Sequence, residues 1–481
     1  MMTNELMLLA PQIILVITGM VLMLLEPFTA PAQKSRLARV AVLGTVVAAF
    51  SLMPQWNIHP RMILKGMFIV DNFSVFFQWL FLIIGAVTAY LSMKFNERES
   101  IDRGEYYALL LFACSGASLM AASADLILTF LGIEILSIST YILAGFKRDD
   151  ARSNESSLKY FLLGSFATAI LLYGIALIYG GTGSTSYGVI YQLALYQRSI
   201  PTVTLIGLGL LLVGFGFKVA LVPFHSWVPD VYEGAPTPVT AFMAVGPKAA
   251  GFAALMRILL QAFPLLSHDW VNVLWLLAIL TMTMGNVVAV LQTNIKRMLA
   301  YSAIAHAGYI LVGIVAGPDA GYQAVLFYLV AYTVMNLLAF SVVLSLSRQG
   351  DMHVHLSDYA GLARKSPFAA AVLSLALISL AGIPLTGGFM GKFYLFSAAI
   401  QRGYIALAII GVLNSVVSVF YYFRIMVYMY MKEPGEQALE PETVSWPVQA
   451  IMVLGAIGVL FLGVWPAPIL ELAARSSFAL K

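Results

Sequence analysis

The sequence predicts an all-α polytopic membrane protein of about 14 transmembrane helices. Of its 481 residues, 60% are hydrophobic and only 10% are charged, and the mean hydropathy is +0.88, whereas soluble domains carry about 25% charged residues. Apolar stretches of about 20 residues, the length that crosses a bilayer, recur along the whole chain. Because the loops between them are short, we expect residues 1–481 to form one transmembrane domain.

A hydropathy window of about 20 residues divides the chain into fourteen predicted spans, of which the second is the shortest. They are 6–26, 38–53, 72–93, 105–122, 125–146, 156–179, 202–231, 238–263, 270–292, 298–316, 321–347, 367–399, 403–431 and 445–474. The first apolar stretch is long enough to span, and the N-terminus lacks the basic segment of a cleavable signal peptide. We therefore expect this stretch to remain as a helix.

The distribution of lysine and arginine predicts the orientation. The odd-numbered loops carry 15 of these residues, and the even-numbered loops with the C-terminus carry 6. The positive-inside rule places the odd loops in the cytoplasm and both termini outside, on the periplasmic side of a bacterial membrane. The formal net charge of +4 reflects this bias and does not indicate nucleic-acid binding.

The seventh and twelfth spans are too long for one helix, and both contain helix breakers. Pro223 interrupts the seventh span, and Pro384 with several glycines interrupts the twelfth. Such breaks persist in a bilayer only where protein or water satisfies the freed backbone groups. Since they lie five spans apart, five-helix repeats containing them would be inverted. We predict repeats at 105–263 and 270–431, preceded by N-terminal helices (1–104) and followed by a C-terminal helix (445–481).

The sequence offers no visible site for a redox cofactor or a metal. A single cysteine, Cys114, excludes an intrachain disulfide and an iron–sulfur cluster held by several cysteines. No Gly-x-Gly-x-x-Gly follows a strand-like segment, and His353 and His355 stand alone in a polar loop without the spacing of metal ligands. We therefore expect no cofactor in this chain, so any electron transfer would run in another subunit.

Glu134, Lys159, Lys218, Lys248 and Lys392 are five charged residues that lie deep inside long apolar stretches. Each such charge costs roughly 2.5 to 3.5 kcal/mol at the bilayer centre on insertion scales. A single one is readily explained as a polar side chain satisfied by its neighbours, and Lys159, near the start of its span, is also able to snorkel to the interface. Five on different helices indicate a path for protons or ions.

Lys218 lies five residues before Pro223, about 7.5 Å along a helix, within reach of freed carbonyls and water. A movable carboxylate such as Glu134 would switch it between holding and releasing a proton. His225, two turns after Lys218, is a natural proton relay, and His306 is a second candidate. For both histidines a hydrogen-bonded packing role is an equally good interpretation.

Other charged residues receive structural interpretations. We expect Arg257 and Arg424, nearer to helix ends, to anchor at the membrane interface. Asp230 and Glu233 are expected in the loop between spans seven and eight. The pair Lys296-Arg297 is interpreted as a topology signal.

At these residues the chain resembles the antiporter-like membrane subunits of respiratory complex I, and most closely those of the N type, which have a mitochondrial counterpart. The matching motifs are LGIE (131–134), GFGFK (214–218), PFH (223–225), PDVYEGAP (229–236), QTNIKR (292–297), YS (301–302), AGIP (381–384) and GKFY (391–394). Lys392 stands where the M-type subunit has a glutamate, Lys159 is present, and the long lateral helix of the L-type subunit is absent.

The resemblance implies a proton-translocating translocase subunit of an NADH-quinone oxidoreductase of the respiratory chain, in the bacterial cell inner membrane. Its partners would be other complex I subunits, especially the M-type and small membrane subunits, and lipid. The resemblance implies that Glu134 is the carboxylate partner of Lys218 and that Lys159 modulates this pair. It implies that Lys248 and His225 carry protons along the mid-membrane axis, with His306 assisting them. Lys392 would face the exit half-channel.

Three alternatives remain open at this point. The chain would also fit a subunit of a multi-subunit cation/proton antiporter, which shares most of the motifs. A structural membrane-arm subunit with inert charges is a second alternative. A related complex fed by ferredoxin or hydrogen is a third, because other subunits choose the electron donor.

Overall fold

The computed structural model describes residues 2–30, 33–197, 200–318, 320–347, 350, 354–433 and 446–476. His353 and the end of the predicted C-terminal segment, 477–481, lie outside them. The described helices are α1 (Met2–Leu8), α2 (Ala10–Leu25), α3 (Ser35–Leu52), α4 (Asn72–Arg98), α5 (Gly104–Ala122), α6 (Leu126–Ala144), α7 (Ala151–Thr182), α8 (Tyr187–Gln197), α9 (Thr202–Lys218), α10 (Trp227–Gly234), α11 (Thr237–Gln261), α12 (Ser267–Leu291), α13 (Ile295–Ala316), α14 (Ala320–Leu346), α15 (Leu362–Lys365), α16 (Pro367–Ala381), α17 (Gly387–Gln401), α18 (Ile405–Met431), α19 (Trp446–Val464) and α20 (Ala467–Ser476).

Eleven of the described helices are long and apolar enough to cross a membrane, or twelve if the pair α19 and α20, bent by 81°, is one span. The prediction of a polytopic all-α membrane protein is confirmed at this level, and the number fourteen stays a prediction. One small exception to the helices is an antiparallel hairpin formed by β1 (Arg61–Ile63) and β2 (Phe68–Val70).

The described residues cluster into two compact units. The first contains the described residues up to 227 and those of 246–273, and the second contains those of 228–245 and the described residues from 274 onward. Within the first unit α7 packs along α9 and α5 along α6, while within the second α14 packs against α16, α17 and α19. The α5–α6 contact is close because a Cβ on Gly116 would lie only 2.8 Å from the carbonyl oxygen of Gly132. The predicted repeat boundaries remain a prediction.

The chain leaves helical conformation at the two places where breakers stand. Between α9 and α10, residues 219–226 form turns that include Pro223, so Lys218 is the last residue of α9. Between α16 and α17, residues 382–386 begin with Gly382 in the left-handed region at φ 85°. Proline removes a donor and glycine tolerates positive φ, so both local sequences favour a break.

Two helices begin with the same arrangement of backbone. Asp125 caps α6 and forms an isolated antiparallel bridge with Ser186, after the end of α7. Asn294 caps α13 and forms the corresponding bridge with His355, after the end of α14. In each bridge two backbone hydrogen bonds of 2.7 to 3.0 Å flank the cap residue. Each helix is therefore fixed at its first residue by the chain that follows the next helix.

Candidate functional site

Lys218 is buried at the end of α9, with 7% of its surface exposed. Its Nζ donates a hydrogen bond of 2.8 Å to Ser137 Oγ on α6. The serine hydroxyl in turn donates to the carbonyl oxygen of Ile133 at 2.5 Å. The ammonium group is thus held by a hydroxyl that is itself fixed by its own helix.

Glu134 lies one helical turn before Ser137 on the same face of α6. It is the charged side chain whose field acts on the Lys218 ammonium, and its Oε1 is buried without a hydrogen-bond partner. The structure therefore brings together the carboxylate and the lysine that the sequence predicts. The sequence analysis missed Ser137 as a member of this site, because its contact with Lys218 joins residues 81 positions apart in the chain.

Lys248 is buried on α11, with 3% of its surface exposed. One turn later on the same helix, Gly251 lies directly against α9. A Cβ on Gly251 would lie 2.5 Å from Val219 Cγ1 and 3.6 Å from Lys218 Cγ. The absence of a side chain there lets the helix that carries Lys248 approach the end of α9 closely.

His225 lies in the non-helical segment that follows Lys218. Its Nδ1 is buried and has no hydrogen-bond partner among the described residues. An imidazole nitrogen in this state is costly unless a water or a proton donor reaches it. The relay role of His225 stays a prediction.

Lys392 lies on α17, just after the second break, with 4% of its surface exposed. Its Nζ donates to the carbonyl oxygens of Leu380 at 3.2 Å and Ala381 at 2.9 Å, the last residues of α16. The carbonyl end of a helix is the negative end of its dipole and stabilises a cation. A Cβ on Gly382 would lie 2.9 Å from Lys392 Cδ, so glycine there leaves room for the lysine.

His306 is buried on α13 between two tyrosines of the second unit. Its Nδ1 lies 2.5 Å from Tyr328 Oη, and its Nε2 lies 3.2 Å from Tyr422 Oη. Tyr422 also shares a hydrogen bond with Ser302. Since both ring nitrogens have hydroxyl partners, this imidazole can accept a proton on one side and release one on the other.

Lys159 does not join the buried charges. Its side chain is 41% exposed on the outside of α7 and forms an ion pair of 2.7 Å with Glu155 Oε1, four residues earlier. Lys159 is therefore exposed, whereas Lys218, Lys248 and Lys392 are buried. Its position suits a contact with a neighbouring protein or snorkelling, because the side chain lies at the surface of the helix.

Arg257 is fully buried, so its predicted place at the membrane interface is wrong. Its Nη1 and Nη2 donate to the two carboxylate oxygens of Asp71 at 2.9 and 2.8 Å, and its Nε donates to the carbonyl oxygen of Ala121 at 2.8 Å. The guanidinium carbon lies 4.7 Å from the centroid of the Phe73 ring. Asp71 also caps α4, so one carboxylate joins α4 and α11.

The loop interpretation of Asp230 and Glu233 is also wrong, because both lie on α10. Arg297 Nη1 donates to Asp230 Oδ1 at 2.7 Å and to Glu233 Oε2 at 3.0 Å. Lys296 is buried, and its Nζ donates to the carbonyl oxygen of Ala235 at 2.7 Å. The basic pair at the start of α13 therefore holds α10 in place, beyond any effect on topology.

Among the described residues, no group of three or more histidine, cysteine, aspartate or glutamate side chains could hold a metal ion.

Arg424 is partly buried and donates to the carbonyl oxygens of Val290, at 2.8 Å, and Gln292. The polar groups gathered at the two helix breaks are thus lysines, histidines, hydroxyls and one carboxylate. These groups can hold and transfer protons.

Comparison with known proteins agrees with this chemistry. A family model described as NADH:quinone oxidoreductase/Mrp antiporter, TM, matches residues 123–418. NADH-quinone oxidoreductase subunit N of Trichlorobacter lovleyi is 48% identical over 475 residues, which cover 98% of this chain and 97% of that protein. Subunit N 1 of Solibacter usitatus is 45% identical, with 98% of this chain and 97% of that protein covered.

A solved structure shows a similar fold. A chain of respiratory complex I from Thermus thermophilus with bound aureothin matches with a TM-score of 0.83 and 36% identity, covering 97% of this chain and 99% of that chain. The resemblance that the sequence motifs indicate is thereby confirmed over nearly the full length. The chain belongs to the subunit N family of NADH-quinone oxidoreductases, within the wider NADH:quinone oxidoreductase/Mrp antiporter membrane family.

Proposed function

We propose that this chain is a proton-translocating membrane-arm subunit of NADH:quinone oxidoreductase. It moves protons through half-channels lined by lysine and glutamate, and this movement is coupled to quinone reduction elsewhere in the complex. The observation that carries the proposal is the placement of Lys218 and Lys392. Each is a buried lysine beside a helix break, with its ammonium group held by hydrogen bonds.

A helix break supplies what a buried lysine needs in order to work as a proton carrier. Freed carbonyl groups accept hydrogen bonds from the ammonium, and irregular backbone at membrane depth is stable where it lines a polar cavity. Intramembrane ionisable residues mark proton relays for this reason. The two relatives described above, both named as subunit N, support the same conclusion.

In the first unit we assign the switch to Glu134, Ser137 and Lys218. The ammonium lies on Ser137, while Glu134 has an unpaired oxygen and acts on it from one turn away. When Glu134 draws the ammonium toward itself, the charged form of Lys218 is stabilised. When the carboxylate is protonated or turned away, Lys218 has only the neutral hydroxyl and can pass its proton on.

The remaining predicted residues receive roles along the same route. Lys248 and His225 carry protons away from Lys218, His306 assists through its two tyrosine partners, and Lys392 serves the exit half-channel. Lys159, exposed on α7, would modulate the Glu134–Lys218 pair from a subunit contact. The paired cap bridges of α6 and α13 support the two inverted repeats that the sequence predicts.

The setting of this function is a multi-pass membrane protein among other complex I subunits. We infer the bacterial inner membrane, both termini on the periplasmic side, and contacts with the M-type and small membrane subunits. Electron transfer belongs to other subunits, and this chain contributes no redox cofactor. Lipid contacts the outer helices, as the many exposed large apolar side chains suggest.

Everted membrane vesicles test the proposal against the cation/proton antiporter alternative. NADH addition is expected to acidify vesicles that contain the complex, and deletion of this chain is expected to lower the number of protons moved per NADH oxidised. Sodium- or potassium-driven proton exchange by this chain without NADH or quinone would instead favour the antiporter. A deletion that leaves the proton ratio unchanged in an assembled complex would contradict translocation here.

Ser137→Ala is expected to slow coupled proton translocation several-fold. The variant removes the acceptor of the Lys218 ammonium, and a hydrogen bond to a charged group contributes about 1.5–3 kcal/mol. The measurement is NADH-driven acidification at equal amounts of assembled complex. Ser139→Ala is the matched control, because that serine, on the same helix, donates only to its own helix at Ile135 O. Equal rates for the two variants would remove Ser137 from the switch.

Gly382→Ala is expected to lower proton translocation at least several-fold with the complex still assembled. The new Cβ would lie 2.9 Å from Lys392 Cδ and displace the lysine from the carbonyl groups of α16. Gly403→Ala separates this effect from backbone strain. Gly403 has the same φ of 85°, but a Cβ there meets no atom of the described residues within 4 Å. Equal activity of the two variants would show that strain, not displacement of Lys392, is responsible.

A further inference from the structure

The ammonium of Lys392 is held by neutral groups. Its Nζ donates to two carbonyl oxygens at the end of α16, Leu380 and Ala381. Among the described residues, no carboxylate lies within ion-pair distance of it. An ammonium group has three N–H donors, and the two carbonyl bonds leave one direction to be accounted for.

The ring of Tyr309 occupies a second side of this ammonium. Lys392 Nζ lies 4.7 Å from the centroid of the ring, and Tyr309 is buried. An aromatic face attracts a cation through its quadrupole, and the attraction is strongest where water is excluded. The ring is thus a neutral partner for the charged form of Lys392, in the place where Lys218 has Glu134.

Tyr309 is held at this position by α12 and α18. Asn286 Nδ2 donates to Tyr309 Oη at 3.0 Å and also to the carbonyl oxygen of Met282 at 2.8 Å. The Oδ1 of Asn286 accepts a hydrogen bond of 2.9 Å from Tyr421. Asn286 and Tyr421 are both buried. Because the amide is fixed on both sides, the tyrosine hydroxyl is fixed, and so is the direction of the ring face.

We propose that Tyr309 is a positioning residue for proton transfer at Lys392. Its ring face contacts the ammonium beside the two carbonyl oxygens of α16, and Asn286 holds the ring in place. The inference rests on the proposed function, since it assigns the group that holds Lys392 while it carries a proton. An amide cannot relay a proton, so the Asn286–Tyr421 bonds hold the ring and are not part of the path.

The physical consequence of this site is a charge that stays uncompensated. A carbonyl, a second carbonyl and a ring all stabilise an ammonium without changing their own charge. A protonated Lys392 therefore adds one full positive charge to its surroundings, which repels the next proton until the first has left. Loss of the ring would shorten the time for which Lys392 keeps its proton.

Tyr309→Leu and Tyr309→Phe in the assembled complex test the proposal. The measured quantity is the number of protons moved per NADH oxidised in everted vesicles. Tyr309→Leu removes the ring and is expected to lower this ratio toward that of Lys392→Ala. Tyr309→Phe keeps the ring but loses the hydrogen bond to Asn286. It is expected to retain more than half of the difference in this ratio between the wild type and Lys392→Ala. Equal losses in Phe and Leu would assign the role to the hydroxyl, and no loss in Leu would remove Tyr309; either result overturns the proposal.

A double variant separates this proposal from the proposed function. If the ring acts through the lysine, Tyr309→Leu combined with Lys392→Ala is expected to lose no more than Lys392→Ala alone. Additive losses would overturn the proposal while leaving the function intact. An unchanged ratio in Lys392→Ala alone would instead count against the proposed function. Should Tyr309→Leu fail to assemble, Tyr309→Met offers an unbranched side chain without a ring, and the same outcomes apply to it.

Discussion

Lys218→Ala is expected to reduce the proton translocation of the assembled complex by about tenfold or more for the step that this subunit performs. A positioned proton-transfer group contributes about 10²- to 10⁴-fold to such a step, and water can replace part of that contribution. The buried ammonium at the end of α9 has no second lysine beside it on that helix. The measurement is the rate of NADH-driven acidification, with electron transfer to quinone followed in the same vesicles.

Lys218→Arg distinguishes a proton carrier from a structural cation. Arginine keeps a positive charge and donors for Ser137, but it does not release its proton in proteins. We therefore expect Lys218→Arg to assemble and still to fail in translocation. Lys432→Ala, an exposed lysine after the end of α18, is the control for loss of a charge and is expected to behave as wild type. Normal pumping by Lys218→Arg would contradict proton transfer through this residue.

Arg257→Ala is expected to destabilise the protein by about 3–5 kcal/mol, because it leaves the Asp71 carboxylate without the partner of its buried ion pair. The guanidinium forms three hydrogen bonds and also covers the Phe73 ring. The expected observation is a lower midpoint of thermal unfolding in detergent and a smaller amount of assembled complex. Asp71→Ala is expected to have a similar effect and also to remove the cap of α4.

Removal of both partners is the informative control for this ion pair. Replacing a buried pair by apolar residues of similar volume is often neutral, so Arg257→Met with Asp71→Leu is expected to be more stable than either single alanine variant. If the double variant is as unstable as the sum of its parts, the pair does not act as a unit. In that case the bond from Arg257 to Ala121 would be the main contribution.

The sequence was sufficient to predict a polytopic helical membrane protein and the two places where its helices are interrupted. Hydropathy finds the apolar segments, and Pro223 and Gly382 fall at the two breaks because these residue types act on their own local backbone. The buried lysines were also predictable, since a charge in an apolar stretch stands out whatever surrounds it. The helix breaks and the charges in apolar stretches can be found because both depend on residues adjacent in the sequence.

The partners of the charges depend on tertiary packing and were out of reach. Ser137 and Lys218 are 81 residues apart, and Asp71 and Arg257 are 186 apart. A single sequence contains no spacing rule for such contacts, so Arg257 was predicted at the interface and its partner Asp71 was not identified. Helix α10 was not predicted, because Pro229 and Gly234 favour a loop. In the structure, the ion pairs that Arg297 forms with Asp230 and Glu233 stabilise this helix.

The cap bridges at the starts of α6 and α13 limit how these helices can move. Sliding either helix along its axis by one turn would break the two backbone hydrogen bonds of its bridge. We therefore expect α6 and α13, the helices that carry Glu134 and Tyr309, to keep their positions along their axes. Any rearrangement during turnover is left to side-chain rotamers and to the irregular segments beside the lysines, and a piston-like stroke of α6 or α13 is disfavoured.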